Sequence, residues 1–509
     1  MTARRQRRNQ RRSRPSGETA EAFQPMKRAY APIDILSEEE EEQVHQLSLR
    51  LLRDIGLKFL SPETWPLLEA NGCAVDRDSG MVRFPPEVVE HFLALAPGEF
   101  EMLARNPANN LHFGGEQIHY GSASSAPNVL DMDRGRRPGS QRDFRDLVRL
   151  NHMLPTVAFH SGHPVEPIDT PVNTRHLLSA YDWHTLSDKV TRIYAIGRTR
   201  VRDSLAMAAI AYGVDDEEVR RAPRLHASIN VNSPLVVDAP LIEAAMEIAE
   251  CGQVNVISPV ALAGAMSPIT LSGSVIQCNA ECIGVIAFLQ MVRAGAPCFY
   301  GVLTSPVDMR SGAPALGVPE GVTGTLANGQ MARRYRLPQR VWLGSTSVAP
   351  DAQAAYESMF SLWAAQLSGA HMVYHAHGWM EGGLTCGFEK TILDSEMIGM
   401  MGALRPRIDF SDAEEVMQAI ADVGPGGHFL GAQHTMPRYE TAFHKPILSD
   451  WRAYEFWQAD GSPQTDLRAN RKWKAMLDGY QPPAIDPAIR EALADYIARR
   501  TREIGDDDI

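Results

Sequence analysis

At 509 residues, with 44% hydrophobic and 22% charged side chains, the chain has the composition of a large globular protein, not of a disordered or fibrous one. Its net charge of −12 argues against general nucleic-acid binding, since a phosphate backbone would be repelled by the summed field, and no apolar run reads as a membrane span. Six cysteines, at 73, 251, 278, 282, 298 and 386, follow no disulfide-framework or CxxC spacing, which fits a reducing cytoplasm.

Residues 1–30 read as a disordered basic tail, with Arg4, Arg5, Arg7, Arg8, Arg11, Arg12 and Arg14 clustered and no apolar residue between them. Residues 31–115 read as an α+β cap. Ser37 followed by the acidic run 38–42 predicts a helix start with an acceptor at the cap and negative charge in the first turn. That helix runs to about Asp54, with Val44, Leu47, Leu51 and Leu52 inward. A second helix is expected over 62–71, stopped by Gly72, then a short strand over 81–84, and a helix started by Pro85-Pro86.

From residue 116 to 435 a different rhythm takes over. Short apolar runs at 117–120, 156–160, 192–196, 226–231, 254–257, 297–303, 340–343 and 371–375 alternate with helix-length amphipathic stretches. Eight strand-helix pairs in succession predict an α/β fold, a (β/α)8 TIM barrel. Residues 436–509 read as a helical C-terminal extension, with Pro482, Pro483 and Pro487 before a last helix over 489–500.

In such a barrel the residues closing each strand form the active-site face. On a strand, His375 and His377 would point to one side, as an HxH pair able to hold zinc or iron or as two hydrogen-bonding groups in a polar mouth. No other strand end offers an obvious third ligand, so no metal is assigned. Asn230, Asn232 and Ser233 are uncharged hydrogen-bonders suited to orienting a substrate, or simply turn-forming residues. Tyr120, Phe299, Tyr300, Trp342, Tyr374 and Trp379 lie at or near strand ends, where aromatic faces could cage a quaternary ammonium or just pack.

Five stretches carry a resemblance: 229–235 (INVNSPL), 257–270 (ISPVALAGAMSPIT), 308–314 (DMRSGAP), 378–384 (GWMEGGL) and 423–430 (VGPGGHFL). In order and spacing they resemble the trimethylamine methyltransferase family, from about residue 37 to about 500. The resemblance implies a (β/α)8 enzyme that moves a methyl group from a methylated amine to the cobalt of a separate corrinoid (cobalamin) protein, and holds no permanent cofactor of its own. The family's founding archaeal members carry pyrrolysine in the segment matching Gly344, Ser345, Thr346 and Ser347, where this chain has no special residue.

A quaternary amine needs no such activation, because it departs as a neutral amine. The chain therefore resembles the betaine-type members. Under that reading His375, His377 and Glu381 are the catalytic candidates; Asn230, Asn232, Tyr300, Arg310, Tyr374 and Trp379 bind substrate, with Arg310 or a histidine meeting a betaine carboxylate. The expected protein is cytoplasmic and homo-oligomeric, with a corrinoid protein and a small methylated amine as partners, no nucleic acid and no membrane. The alternatives are a metal-dependent barrel hydrolase using His375 and His377, and a quaternary-amine binding protein without turnover.

Overall fold

The computed structural model describes Phe23 and residues 25–505, so the arginine cluster expected to form a tail lies outside the described residues. Packed structure begins before residue 30, because Met26–Lys27 already pairs antiparallel with Gln117–Tyr120. The helix Glu38–Asp54 starts as the sequence predicts: Ser37 Oγ accepts from the Glu40 amide, and the Glu40 carboxylate accepts from the Ser37 amide. Its buried face is Val44, His45, Ser48, Leu49 and Leu52, whereas Leu47 and Leu51 are half-buried.

That helix packs on the long helix Leu271–Val292, against which Leu52 and Leu57 come so close that a Cβ on Gly284 would lie 3.0 and 2.9 Å from their side chains. The cap sheet has the order Val236–Val237, Leu57–Phe59, Met81–Arg83, Ala74–Asp76. Its first strand comes from the loop after Leu225–Val231, so cap and central strands share one hydrophobic cluster. Leu271–Val292 is itself long and apolar enough to cross a membrane, correcting the sequence reading that no run is. Its most apolar stretch is 83% buried inside the protein, as the core helix of a globular fold would be.

The central strands pair in parallel around a ring. Gln117–Tyr120 pairs with Met372–Tyr374, which pairs with Arg340–Trp342. Gln339 bridges to Tyr300 at the end of Cys298–Tyr300, which pairs with Val254–Ala263, then Leu225–Val231, then Thr191–Arg192. Val190 bridges to Phe159 and Phe159 to Gly121, which follows the first strand, so the series returns to its start. Of the eight expected runs, only 156–160 forms no strand and contributes this single bridging position. The fold is mixed α/β, with helices between successive ring segments.

Three additions shape the two ends of the ring. At the amino-terminal end, the hairpin of Phe100–Met102 and Leu111–Phe113 sets Phe113 against Phe299 and His119, with ring centroids 5.0 Å apart in each pair. At the carboxyl end, Val254–Ala263 runs on and pairs with Leu303–Pro306. Beside it, Trp379–Met380, Thr385–Gly387, Asn128–Asp131 and Gly135–Pro138 form a four-stranded sheet in that order. The C-terminal helices are Tyr454–Ala459, Thr465–Gly479 and Pro487–Ile504; the last begins with Pro487 in its first turn, capped by Asp486, and buries Leu493 among Leu177, Ala180, Met207 and Ala211. All six cysteines are free and buried.

Candidate functional site

Strand alternation decides what faces the interior of the ring. In Arg340–Trp342, Val341 joins the cluster under the surrounding helices with Leu343, so Arg340 and Trp342 face inward. The neighbouring strand places Val373 outward and Tyr374 inward, against Phe159 and His226. Ile193 likewise packs outward, which leaves Arg192 inside.

Arg340 is 1% exposed, and its guanidinium lies 4.2 Å from the Tyr374 ring centroid and 4.7 Å from that of Trp342. Its Nε and Nη1 have no hydrogen-bond partner among the described residues. Burial pulls its pKa well below the ordinary arginine value, with the nearby charge of Arg192 acting in the same direction. Arg192 donates through Nη1 to Ser124 Oγ and to the Ser161 carbonyl, each at 3.0 Å. Gly162 makes room for it: a Cβ there would lie 2.5 Å from Arg192 Nη1. Tyr374 Oη and His226 Nδ1 are 2.5 Å apart, and burial holds His226 down to about 3, hence neutral.

Above this pair sits His375. The strand stops at Tyr374 and His375 takes φ +57°, so the chain leaves the extended conformation and the expected same-side placement of His375 and His377 fails. The His375 ring stacks on Trp379 at 4.3 Å and 20°, edge-on to Trp342 at 5.1 Å. Its Nδ1 is buried and unpartnered, and burial, followed by the charges of Arg340 and Arg192, holds the imidazole well below its usual range. His377 points elsewhere: its Nδ1 lies 3.0 Å from the Gly121 carbonyl and its Nε2 3.0 Å from Thr156 Oγ1, with burial holding it down to about 3. Both of its nitrogens are engaged in holding the ring together, so the two histidines do not form the HxH metal pair. Among the described residues no group of three or more His, Cys, Asp and Glu side chains is placed to hold a metal.

The segment Gly344, Ser345, Thr346 and Ser347 is clasped from behind. The Glu357 carboxylate accepts from Ser345 Oγ at 2.6 Å, Thr346 N and Oγ1 at 2.8 Å, Ser347 N at 3.2 Å and Gln353 Nε2 at 2.8 Å. Gly344 lies flat against Trp379, where a Cβ would come within 2.5 Å of the indole; on another edge of the ring, Gly383 with φ +100° would bring one within 2.3 Å. The indole Nε1 donates to the Ser124 carbonyl at 3.1 Å. Trp379 is thus wedged between two glycines and a histidine.

The other sequence candidates fall in different places. Asn230 and Asn232 are exposed at the carboxyl end of their strand, while Ser233 donates to Glu281. Tyr300 is not brought to the site: it faces outward, donating to Asn279 Oδ1 on Leu271–Val292, and Phe299 takes the inward position. Arg310 lies exposed on a turn held by Asp308. Glu381 accepts from Arg136 Nε and Nη2 at 2.8 and 3.2 Å and from Thr385, so it ties the turn of the small sheet and is not a free acid. Tyr374 and Trp342, read as cage walls, already carry the guanidinium of Arg340. Sequence reasoning passed over Arg192, Arg340, His226 and Glu357, although the alternation of Arg340-Val-Trp-Leu itself puts arginine and tryptophan on one face.

The profile of the trimethylamine methyltransferase (MTTB) family matches residues 4–505. The chain is 34% identical over 475 residues to a glycine betaine methyltransferase of Desulfitobacterium hafniense (strain Y51), covering 93% of this chain and 98% of that protein. It is 28% identical over 472 residues to trimethylamine methyltransferase MttB of Desulfitobacterium hafniense (strain DSM 10664 / DCB-2), covering 92% and 94%. Against the solved monomethylamine methyltransferase MtmB of Methanosarcina barkeri it has 12% identity and a TM-score of 0.44 over 92% of this chain and 96% of that one. With a family profile spanning nearly its whole length, the chain belongs to the trimethylamine methyltransferase family.

Proposed function

We propose that the protein is a methyltransferase that moves a methyl group from a quaternary amine to the cobalt of a corrinoid carried by a separate protein, and that its ring of parallel segments is a (β/α)8 barrel. The observation that carries the substrate reading is the 34% identity with a glycine betaine methyltransferase, over 93% of the chain. The chemistry of the interior supports it. His226 and His377 are held down to about 3 and His375 well below its usual range, so none of these imidazoles carries a proton to give a leaving amine at neutral pH. A quaternary ammonium releases its leaving group without protonation and so needs no acid from these histidines.

The acceptor, a reduced corrinoid cobalt, supplies the nucleophile. The residues of this chain then position the substrate, exclude water and shape the field. Asn230 and Asn232 are exposed at the carboxyl end of their strand, where they could meet a substrate's polar groups. His375 and Trp379 form a stacked neutral wall above the interior. The positive charges of Arg192 and Arg340 disfavour a cationic nitrogen more than the neutral amine it becomes, so this field is relieved as the methyl group departs. We place the protein in the cytoplasm, where its buried thiols and a reduced acceptor both persist.

The test is an anaerobic assay of the full-length chain with glycine betaine, with or without reduced cobalamin, following cobalt oxidation state by absorbance and dimethylglycine by mass spectrometry. Demethylation is expected only with the reduced corrinoid, and trimethylamine is expected to be inert. Turnover with tetrahydrofolate alone would overturn the acceptor, and efficient turnover of trimethylamine would overturn the leaving-group argument.

A further inference from the structure

A guanidinium enclosed in a protein interior is expected to have a carboxylate, and among the described residues Arg340 has none. It is 1% exposed, makes no ion pair, and leaves Nε and Nη1 without any acceptor. What surrounds it does not neutralise it. Tyr374 lies against its face, but burial raises the phenol above its ordinary pKa, so it stays uncharged. The next charge is Arg192, of the same sign and also without an ion pair among the described residues, since its Nη1 reaches only a serine hydroxyl and a backbone carbonyl. Two more polar atoms in this neighbourhood are buried and unpaired, Trp342 Nε1 and His375 Nδ1. Arg340, a buried cation with two idle donors, is costly in the absence of an anion, and guanidinium geometry suits a carboxylate; Arg192 beside it is half-buried and within the field of Glu166.

We propose that Arg340, with Arg192 beside it, is the receptor for the carboxylate of the substrate, which enters anion first and leaves its trimethylammonium group towards the mouth beneath His375 and Trp379. The substrate class, a quaternary-ammonium carboxylate, rests on the methyltransferase reading; the anion receptor does not. Two of the aromatic faces that would cage a free cation, Tyr374 and Trp342, are occupied by Arg340. A quaternary amine with no carboxylate would therefore meet the positive field of Arg340 without bringing a charge that offsets it.

The experiment is calorimetric titration of the full-length protein, without acceptor, with three probes: glycine betaine, 3,3-dimethylbutanoate, which keeps the carboxylate but replaces the ammonium by carbon, and choline, which keeps the ammonium but has no carboxylate. The wild type is expected to bind both carboxylates at least about tenfold more tightly than choline, the low end of a hydrogen-bonded charge contact. Arg340→Met is expected to weaken both carboxylates by about ten- to a hundred-fold and to abolish the preference over choline, with Arg340→Lys between the two. Should Arg340→Met fail to fold by circular dichroism, Arg192→Met and the wild-type order of the three probes decide. Choline bound as tightly as glycine betaine by the wild type, or a carboxylate preference that survives in folded Arg340→Met, overturns the receptor. Carboxylate selectivity without methyl transfer to a reduced corrinoid defeats the earlier reading and leaves this one standing; turnover indifferent to Arg340 does the reverse.

Discussion

Glu357→Gln tests whether the clasp behind residues 344–347 sets the position of Trp379. The wild-type carboxylate accepts from five donors, two of them the backbone amides of Thr346 and Ser347. An amide keeps one oxygen and turns an N–H2 group towards the remaining donors, so two or three of these hydrogen bonds are lost in a buried place. Hydrogen bonds to a charged group contribute about 1.5–3 kcal/mol each, and with partial relaxation the local cost is about 2–4 kcal/mol. Converted to a local opening equilibrium, this is roughly 30- to 1,000-fold. Hydrogen-exchange mass spectrometry of a peptide spanning 343–350 is expected to lose protection by that factor. Ligand affinity should fall with it, because Gly344 supports the indole of Trp379 and the amides of Glu381 and Gly382 donate to the carbonyls of Ser347 and Ser345. Burial by itself would raise the Glu357 pKa, but the hydrogen bonds from Ser345, Gln353 and Thr346 hold it below the ordinary glutamate value. The stabilisation is therefore complete above the unfolded-state value of about 4.3 and is lost only as pH falls through the lower folded value. Unchanged exchange over 343–350 at pH 7 would refute the clasp. Increased exchange with unaltered affinity would show that the segment does not set the site.

His375 and His377 should separate cleanly. His377→Ala removes two buried hydrogen bonds and is expected to cost about 2–4 kcal/mol in denaturant unfolding with little change in glycine betaine affinity, whereas His375→Ala should lower that affinity about tenfold and leave stability nearly intact; the opposite pattern would restore the same-side reading. Acid should destabilise the protein early: burial holds His119 down to about 4, and His184, His226, His371 and His377 to about 3, so below about pH 6.5 the unfolded chain takes up protons that the folded one does not. Each such histidine removes about 1.4 kcal/mol per pH unit, and urea unfolding at pH 7.5 and 5.5 should differ by several kcal/mol; equal stability at the two values would mean that these imidazoles are not neutral in the folded protein.

The strand and helix rhythm was legible because a buried strand needs a short apolar run and the helix after it needs a stripe, and both periods survive in a single sequence. Seven of the eight runs form strands. The small sheet at the carboxyl end was not legible, since Thr385–Gly387 pairs with Asn128–Asp131, about 250 positions away in the chain, and neither segment is long enough to declare itself alone. The cap could not be recognised as sharing the central core, because one of its four strands, Val236–Val237, is two residues inside what reads as a loop.

At the site, the errors came from applying strand alternation where it had stopped and not applying it where it held. His375 and His377 were paired as i and i+2 of a strand, yet the strand ends at Tyr374 and the positive φ of His375 turns the two rings apart. Tyr300 was taken as inward although Cys298 and Tyr300 share the face that packs on Leu271–Val292, which leaves Phe299 inside. The same rule applied to Arg340-Val-Trp-Leu and to Arg192-Ile sends the aliphatic residues to the helices and the arginines to the interior. Net charge concealed this. A chain at −12 reads as one that repels anions, but the field that a ligand meets is set by the charges nearest to it, and inside the ring these include Arg340, which has no ion pair among the described residues, with Arg192 beside it. The surface carboxylates behind the −12 are screened by water, whereas the guanidinium of Arg340 is 1% exposed and little screens it. The charge that matters for recognition is therefore opposite in sign to the charge of the chain.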